Sequence, residues 1–346
     1  MKWLWLNLTL LLAFGLSGCS ESPQVHQAKL FTLGTLVDVT VLHRDEAAAA
    51  RAVEIVESEL ATVNAQWHAW RDSPLTQINQ QLALGNTVAI DAATYRFIQQ
   101  AQTLASHSEQ RFNPAIGALV ALWGFHSDER PDSAPPTQEA INALLKSAPS
   151  MADITLTETT LSSNNRAVQL DFGAFGKGYA IDQAVARLKQ SGIENAIVNA
   201  GGDLRAIGSK NERPWRIGIR HPTAAGVIAS LEIIDDESVF TSGNYERFFD
   251  FSGQRYHHII DPRSGYPAQG TVSVTVIHRS AAVADAAATA LFIAGAEQWP
   301  RIARQMGVDE VMLIDEQLTL HMTPKMAQRI QLEIDDAELN IVGGEQ

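Results

Sequence analysis

Between Ala167 and Leu188 the sequence changes period within a few residues, which constrains the fold more than any other stretch. The alternating run Ala167-Val168-Gln169-Leu170 reads as a strand, and Ala180, Ile181, Ala184, Val185 and Leu188 recur at helical spacing. The segment Asp171-Phe-Gly-Ala-Phe-Gly-Lys-Gly-Tyr-Ala-Ile-Asp182 therefore spans a strand-to-helix junction. A helix start offers unpaired N–H groups and a positive dipole end, and Gly173, Gly176 and Gly178 allow close approach to the backbone. That suits a phosphate or a metal ion, with a purely structural glycine-rich turn as the alternative. The spacing is neither G-x-G-x-x-G nor a P-loop, since Lys177 is followed by Gly178 rather than by Ser or Thr.

The 346 residues suffice for one large or two modest domains, and 45% hydrophobic with 19% charged residues is ordinary for a soluble enzyme. The formal net charge of −13 argues against nucleic acid as a partner, and an anionic substrate would need locally placed cations. Cys19 is the only cysteine, which excludes disulfides and thiolate chemistry from the body of the protein. It follows Met1-Lys2 and an apolar run, Trp3 to Leu16, that reads as a secretory signal. Leu16-Ser17-Gly18-Cys19 resembles a bacterial lipobox, with Cys19 as the lipidated residue. The expected organisation is a signal peptide over 1–18, a polar tether over 19–28, a catalytic domain over 29–330 and an acidic tail over 331–346. The expected location is the periplasmic face of a bacterial envelope, tethered by a lipid to the inner membrane in preference to the outer.

Along the body, Phe31–Val41 alternates as a strand and an Ala-rich helix runs from Asp45 to about Val63. Asp91 is placed to cap a helix that turns Phe97, Ile98, Ala101, Leu104 and Ala105 inward. Strands near Ile154, Leu161, Ala196–Asn199, Trp215–Pro222, Leu231, Val239 and Val272–Ile277 follow with little helix among the last five. This clustering predicts an α+β fold of mixed, mostly antiparallel sheets flanked by helices, and disfavours a doubly wound parallel sheet. The final helix, over Ala281–Gly295, sets Asp285 and Thr289 four apart on one face. That is an oxygen pair for a hard cation such as Mg²⁺, or a chance pair on a solvent-facing helix.

Asp171–Asp182 resembles the D-x-G-A-x-x-K-G-Y-A-x-D signature of the ApbE-type FAD:protein FMN transferases. Other stretches are similar to that family's motifs, in order. They are Asp72-Ser73-x-Leu75-x-x-x-Asn79, Gln110-Arg-Phe-Asn-Pro, Asn199-x-Gly201-Gly202-Asp203, Thr241-Ser-Gly-x-Tyr-x-Arg247 and His258-Ile-Ile-Asp-Pro262. The resemblance implies Mg²⁺-dependent transfer of FMN from FAD to a Thr or Ser of a partner flavoprotein, with release of AMP. FAD pyrophosphatase activity and a non-catalytic FAD-binding lipoprotein are the alternatives. It further implies FAD contacts from Leu33, Trp70, Gln110, Arg111, Phe112, Asp171, Lys177 and Ile259, with Trp67 competing for the role of Trp70. Mg²⁺ would be held by Asp285, Thr289 and the carbonyl of Ala174, and His258 would be the base, with His257 orienting the strand. The chain departs from the family pattern in Leu33 for Met, Asn113 for Asp and Ala115 for Thr.

Overall fold

The computed structural model describes residues 22–126, 134–335 and 337–342. Cys19 and the signal-like segment lie outside them. The central sheet has nine strands. Its spatial order is Gln24–Thr32, Thr35–His43, Ala196–Ala200, Asp203–Ile207, Glu237–Gly243, Thr271–His278, Glu310–Asp315, Leu320–Met322 and Leu339–Ile341. Every neighbouring pair is antiparallel except the last. The fold is α+β, as the strand clustering predicts.

Alternation along the strands creates two cores. Val37, Val39, Val198, Phe240, Val274, Val276, Val311 and Leu313 face the helices Glu46–Trp67, Ala92–His107, Gly176–Gln190 and Ala281–Met306. Leu204, Ala206, Val239, Ile277, Met312 and Ile314 face the opposite way, onto a small sheet of Arg216–Arg220, Val227–Glu232 and Gln331–Leu332. Buried on both faces, the central strands read as near-continuous apolar runs. Asp91 caps its helix through Thr94 N–H at 2.7 Å, and its five inward residues are buried as expected.

Three boundaries differ from the sequence reading. Residues 24–28 are not tether but the first half of a strand, paired with Val39–His43. Their alternation is masked by polar residues because this is an edge strand that covers only one face. Residues 331–335 and 337–342 are not a free tail, since Gln331–Leu332 pairs with Ala229–Ser230 and Leu339–Ile341 with Leu320–Met322. Leu332, Ile334 and Ala337 supply the apolar contacts that hold this segment on the second core. Finally, Ala167–Leu170 makes only one bridge, Ile116 to Gln169. The side-chain amide of Asn79 substitutes for a partner strand there, donating to Leu170 O at 2.9 Å and accepting Leu170 N–H at 2.7 Å.

The helices Gly176–Gln190 and Ala281–Met306 begin against each other and cap one another. Phe175 gives the first helix no side-chain cap, but Asp285 from the second accepts the Gly178 N–H at 2.9 Å. In return Asp182 from the first accepts the N–H groups of Ala281 at 2.8 Å and Ala282 at 3.1 Å, and the Ser280 hydroxyl at 2.7 Å. Orphan donors at each helix start are thus satisfied by a carboxylate of the other. Arg205 pairs with Asp182 and balances its charge. The approach is close enough that a Cβ on Gly178 would stand 2.3 Å from the Ala281 carbonyl oxygen. The second helix is also interrupted at Gly295, which has φ 68° and ψ 175°.

Alanine is the better helix former by about 1 kcal/mol, so Gly176→Ala, which meets nothing within 4 Å, should leave stability unchanged or slightly raised. Gly178→Ala should instead lower it by about 1–3 kcal/mol, because the backbone it meets cannot swing aside. Denaturant unfolding of the two variants checks the contrast, and equal midpoints would show that the helix contact is loose.

Candidate active site

One cavity of about 870 Å³ lies where the helix pair, the central sheet and the Arg216–Arg220 strand converge. Its wall includes Leu33, Trp70, Arg111, Phe112, Asp171, Ala174, Lys177, His258, Ile259, Asp285 and Thr289. The structure therefore gathers into one place residues spread over more than 250 positions of the sequence. Gln110 is the exception. Its N–H is bonded to Ala105 O at 2.7 Å and its side-chain oxygen accepts from Ser150 Oγ at 3.0 Å, so it braces the loop outside the cavity.

Leu33 is not in the middle of a strand. With Gly34 it forms the two-residue turn between the first two strands, both with positive φ, 55° and 71°. This is the twist-matched hairpin turn, and it brings the Leu33 side chain to the cavity. Both tryptophans border the cavity, but Trp67 is buried and stacked on Phe97 with ring centroids 3.8 Å apart. Trp70 is half-buried at the cavity wall, edge-on to His126 at 5.7 Å. The Asn113 amide donates to Pro149 O at 3.0 Å and accepts the Ala115 N–H at 3.1 Å. An ionised Asp could not make the first bond, which gives the departure at 113 a structural use.

The adjacent histidines hold opposite tautomers. His257 Nε2 lies 2.8 Å from the Ala268 carbonyl and its Nδ1 faces the Ile259 N–H at 3.3 Å. A carbonyl can only accept, so Nε2 carries the proton and both nitrogens are used. His258 Nδ1 lies 3.2 Å from the Arg247 carbonyl, so there Nδ1 carries the proton. The lone pair is left on Nε2, which has no hydrogen-bond partner among the described residues. Burial, then Arg247 and His257, push the His258 pKa down to about 3, and the ring is neutral throughout the physiological range.

Asp285 is 7% exposed, and burial pushes its pKa up to about 7 against the pull of Lys177, with Asp203 adding to the rise. Burial disfavours the charge on Lys177, but Asp203 and Asp285 more than offset it and raise its pKa. Asp203, which also accepts the Thr241 N–H at 2.8 Å, pairs directly with the Lys177 ammonium. Burial raises the Asp171 pKa, partly countered by the Gly173 N–H at 2.8 Å and by Arg247. The sequence shows Asp203 within its glycine motif, but not that it neutralises Lys177. That pairing depends on the register between Asp203–Ile207 and its neighbours.

The donor set suits a hard cation. One oxygen of Asp285 takes the Gly178 N–H, leaving the other available beside Thr289, whose hydroxyl is 3.3 Å from Ser242 Oγ. With its N–H turned to Asp285, Gly178 does not occupy the carbonyl of Ala174 four residues back. Among the described residues no group of three or more His, Cys, Asp or Glu is placed to hold a metal. A cation here would thus complete its shell with water and phosphate oxygens, the usual habit of Mg²⁺.

Residues 33–313 match the model of the ApbE family. The chain belongs to that family. An FAD:protein FMN transferase of Rhodobacter capsulatus is 42% identical over 312 residues, covering 90% of this chain and 59% of that protein. One of Vibrio cholerae is 32% identical, covering 90% of this chain and 93% of its own length. Among solved structures, the ApbE protein of Thermotoga maritima superposes with a TM-score of 0.80 at 30% identity, covering 88% of this chain and 99% of that one. The flavin transferase ApbE of Vibrio cholerae gives 0.78 at 28% identity, covering 89% and 99%. The family match thus begins at Leu33 and spans both helix starts and the histidine pair.

Asp285 gives a pH signature with a defined sign. Its pKa is raised from 3.8 to about 7, so the folded chain holds the extra proton between those values and its stability contribution declines as pH rises through that window. Mg²⁺ needs the ionised form, so its affinity should rise about tenfold per pH unit up to about 7 and then level off. Thermal melts from pH 4 to 8, with and without Mg²⁺, should show both effects in the native chain and neither in Asp285→Asn. Identical profiles for the two proteins would place the cation elsewhere.

Proposed function

We propose that this chain transfers the FMN half of FAD to a threonine or serine hydroxyl of a partner flavoprotein, with Mg²⁺ as cofactor and AMP as leaving product. The observation that carries the reading is the unpartnered Nε2 of neutral His258, which shares one cavity with the Asp285, Thr289 and Ala174 oxygens and with Lys177. The names of the relatives support the same chemistry.

The acceptor oxygen attacks the flavin-side phosphorus of FAD and the pyrophosphate P–O bond breaks toward the adenosine side. The acceptor proton passes to His258 Nε2 and then to solvent, so FAD and a hydroxyl give a phosphodiester, AMP and one proton. A bound Mg²⁺ would neutralise pyrophosphate charge and support the leaving phosphate. His258 is a weak base while the cavity is empty, because burial and Arg247 disfavour its cation. A pyrophosphate in the cavity supplies the missing negative charge and raises its basicity at the step that needs it. Lys177 is aligned by Asp203 for phosphate, and Asp171 can accept hydroxyls. The reading also places the chain on the periplasmic face of a bacterial envelope, held by a lipid on Cys19. Cys19→Ser should then shift the protein from the membrane to the soluble fraction.

With FAD, Mg²⁺ and an acceptor flavoprotein, His258→Ala should bind FAD normally yet transfer flavin about 10²–10⁴-fold more slowly, as for loss of a positioned base. Covalent flavin fluorescence and AMP release follow the reaction. Full activity in His258→Ala would remove the base from this position. AMP released equally without acceptor would replace transfer by hydrolysis, and bound FAD without AMP would make the chain a flavin carrier.

A further inference from the structure

The two ends of the central sheet differ. One closes with the three-residue strand Leu339–Ile341, whereas the other is the nine-residue strand Gln24–Thr32, with no strand on its outer side among the described residues. Long open edges invite strand addition, and proteins ordinarily shorten or cover them. This edge leads directly to the cavity, because its last residues and the Leu33–Gly34 turn are part of the cavity wall.

The hairpin register fixes which backbone groups face outward. Thr32 and Thr35 flank a two-residue turn and form its closing hydrogen-bonded pair, so Leu30, Ala28 and His26 also bond inward. Phe31, Lys29 and Gln27 alternate with them and point their N–H and C=O groups away from the sheet. None of these groups has a backbone partner outside the hairpin among the described residues. At the cavity end, Phe31 is 79% exposed and its cross-strand partner Leu36 is 47% exposed. Phe31 is the most exposed large apolar side chain of the described residues, and it stands at the mouth of a cavity whose other aromatic groups are buried or half-buried.

We infer that the outer edge of Gln24–Thr32 is the docking strand for the acceptor protein, which adds an extended segment beside Gln27, Lys29 and Phe31 and so carries its threonine or serine past Leu33 into the cavity. Main-chain bonds along the edge would provide affinity with little demand on sequence, and Phe31 with Leu36 would favour an apolar residue near the acceptor hydroxyl. The inference rests on the transfer reading above. It explains how His258, set in the cavity wall, meets a hydroxyl that belongs to another protein.

The test uses the full chain with FAD, Mg²⁺ and a library of peptides of about ten residues, each with one central Thr or Ser. Covalent flavin on peptide is read by mass. Lys29→Pro and Gln27→Pro remove an outward N–H, which an edge strand tolerates, and should cut labelling at sub-saturating peptide by about tenfold. Lys29→Ala and Gln27→Ala should stay within about twofold, since the Lys29–Asp38 ion pair is exposed. FAD binding, followed by flavin fluorescence, should be the same in all four. Equal labelling by the proline and alanine variants would overturn the docking edge. If a proline variant unfolds, amide exchange in the native chain decides: a responding peptide must slow exchange at Gln27, Lys29 and Phe31, and unchanged rates would overturn the proposal. Flavin on a folded acceptor protein but on no peptide would reject the extended-segment edge and leave transfer standing. Flavin on neither would reject the transfer reading itself.

Discussion

The reciprocal capping of two helix starts organises the catalytic half of the molecule. Asp182 and Asp285 each leave their own helix to satisfy the first turn of the other, and Gly178 permits the approach. Hydrogen bonds to charged acceptors contribute about 1.5–3 kcal/mol each, and here they also fix the relative rotation of the helices. That rotation sets how Asp285, Thr289 and Ala174 face the cavity they line. A carboxylate that holds the start of the neighbouring helix with one oxygen cannot move the other without disturbing that contact.

The electrostatics of the cavity run against those of the chain as a whole. The net charge of −13 would repel a dinucleotide, yet Lys177, Arg111, Arg220 and Arg247 all line the cavity. Asp203 and Asp285 temper this field by pairing with or flanking Lys177. The result is a cavity in which the histidine is neutral, the Asp285 carboxyl titrates near 7 and the ammonium stays charged.

Much of this was visible in the sequence because it is local. The capped helix at Asp91, the apolar stripe from Ala180 to Leu188 and the four-residue spacing of Asp285 and Thr289 each depend on neighbours within a few positions. What was not visible depends on pairing at a distance. Asn79 replacing a strand partner 91 residues away has no periodic signature. The edge strand from Gln24 hides behind polar residues because only one of its faces is covered. Gln110 carries the motif but turns out of the cavity, since the positive φ values of Glu109 and Gln110 reverse the chain there. The two histidines look equivalent as letters and differ only in which carbonyl each one meets.

The break at Gly295 gives the long helix two independent directions. Its first half carries Asp285 and Thr289, while its second half brings Gln298 to Arg111 and Arg301 to Glu109 on the far wall. A straight rod could not serve both walls. The backbone at this point lies in a region essentially reserved for glycine, although a Cβ would meet nothing within 4 Å. Judged by free volume, the position would accept any side chain, and judged by torsion, it accepts none. A lineage drifting through sequence space would therefore find this open spot among the least negotiable in the chain, with no neighbouring substitution able to relieve it.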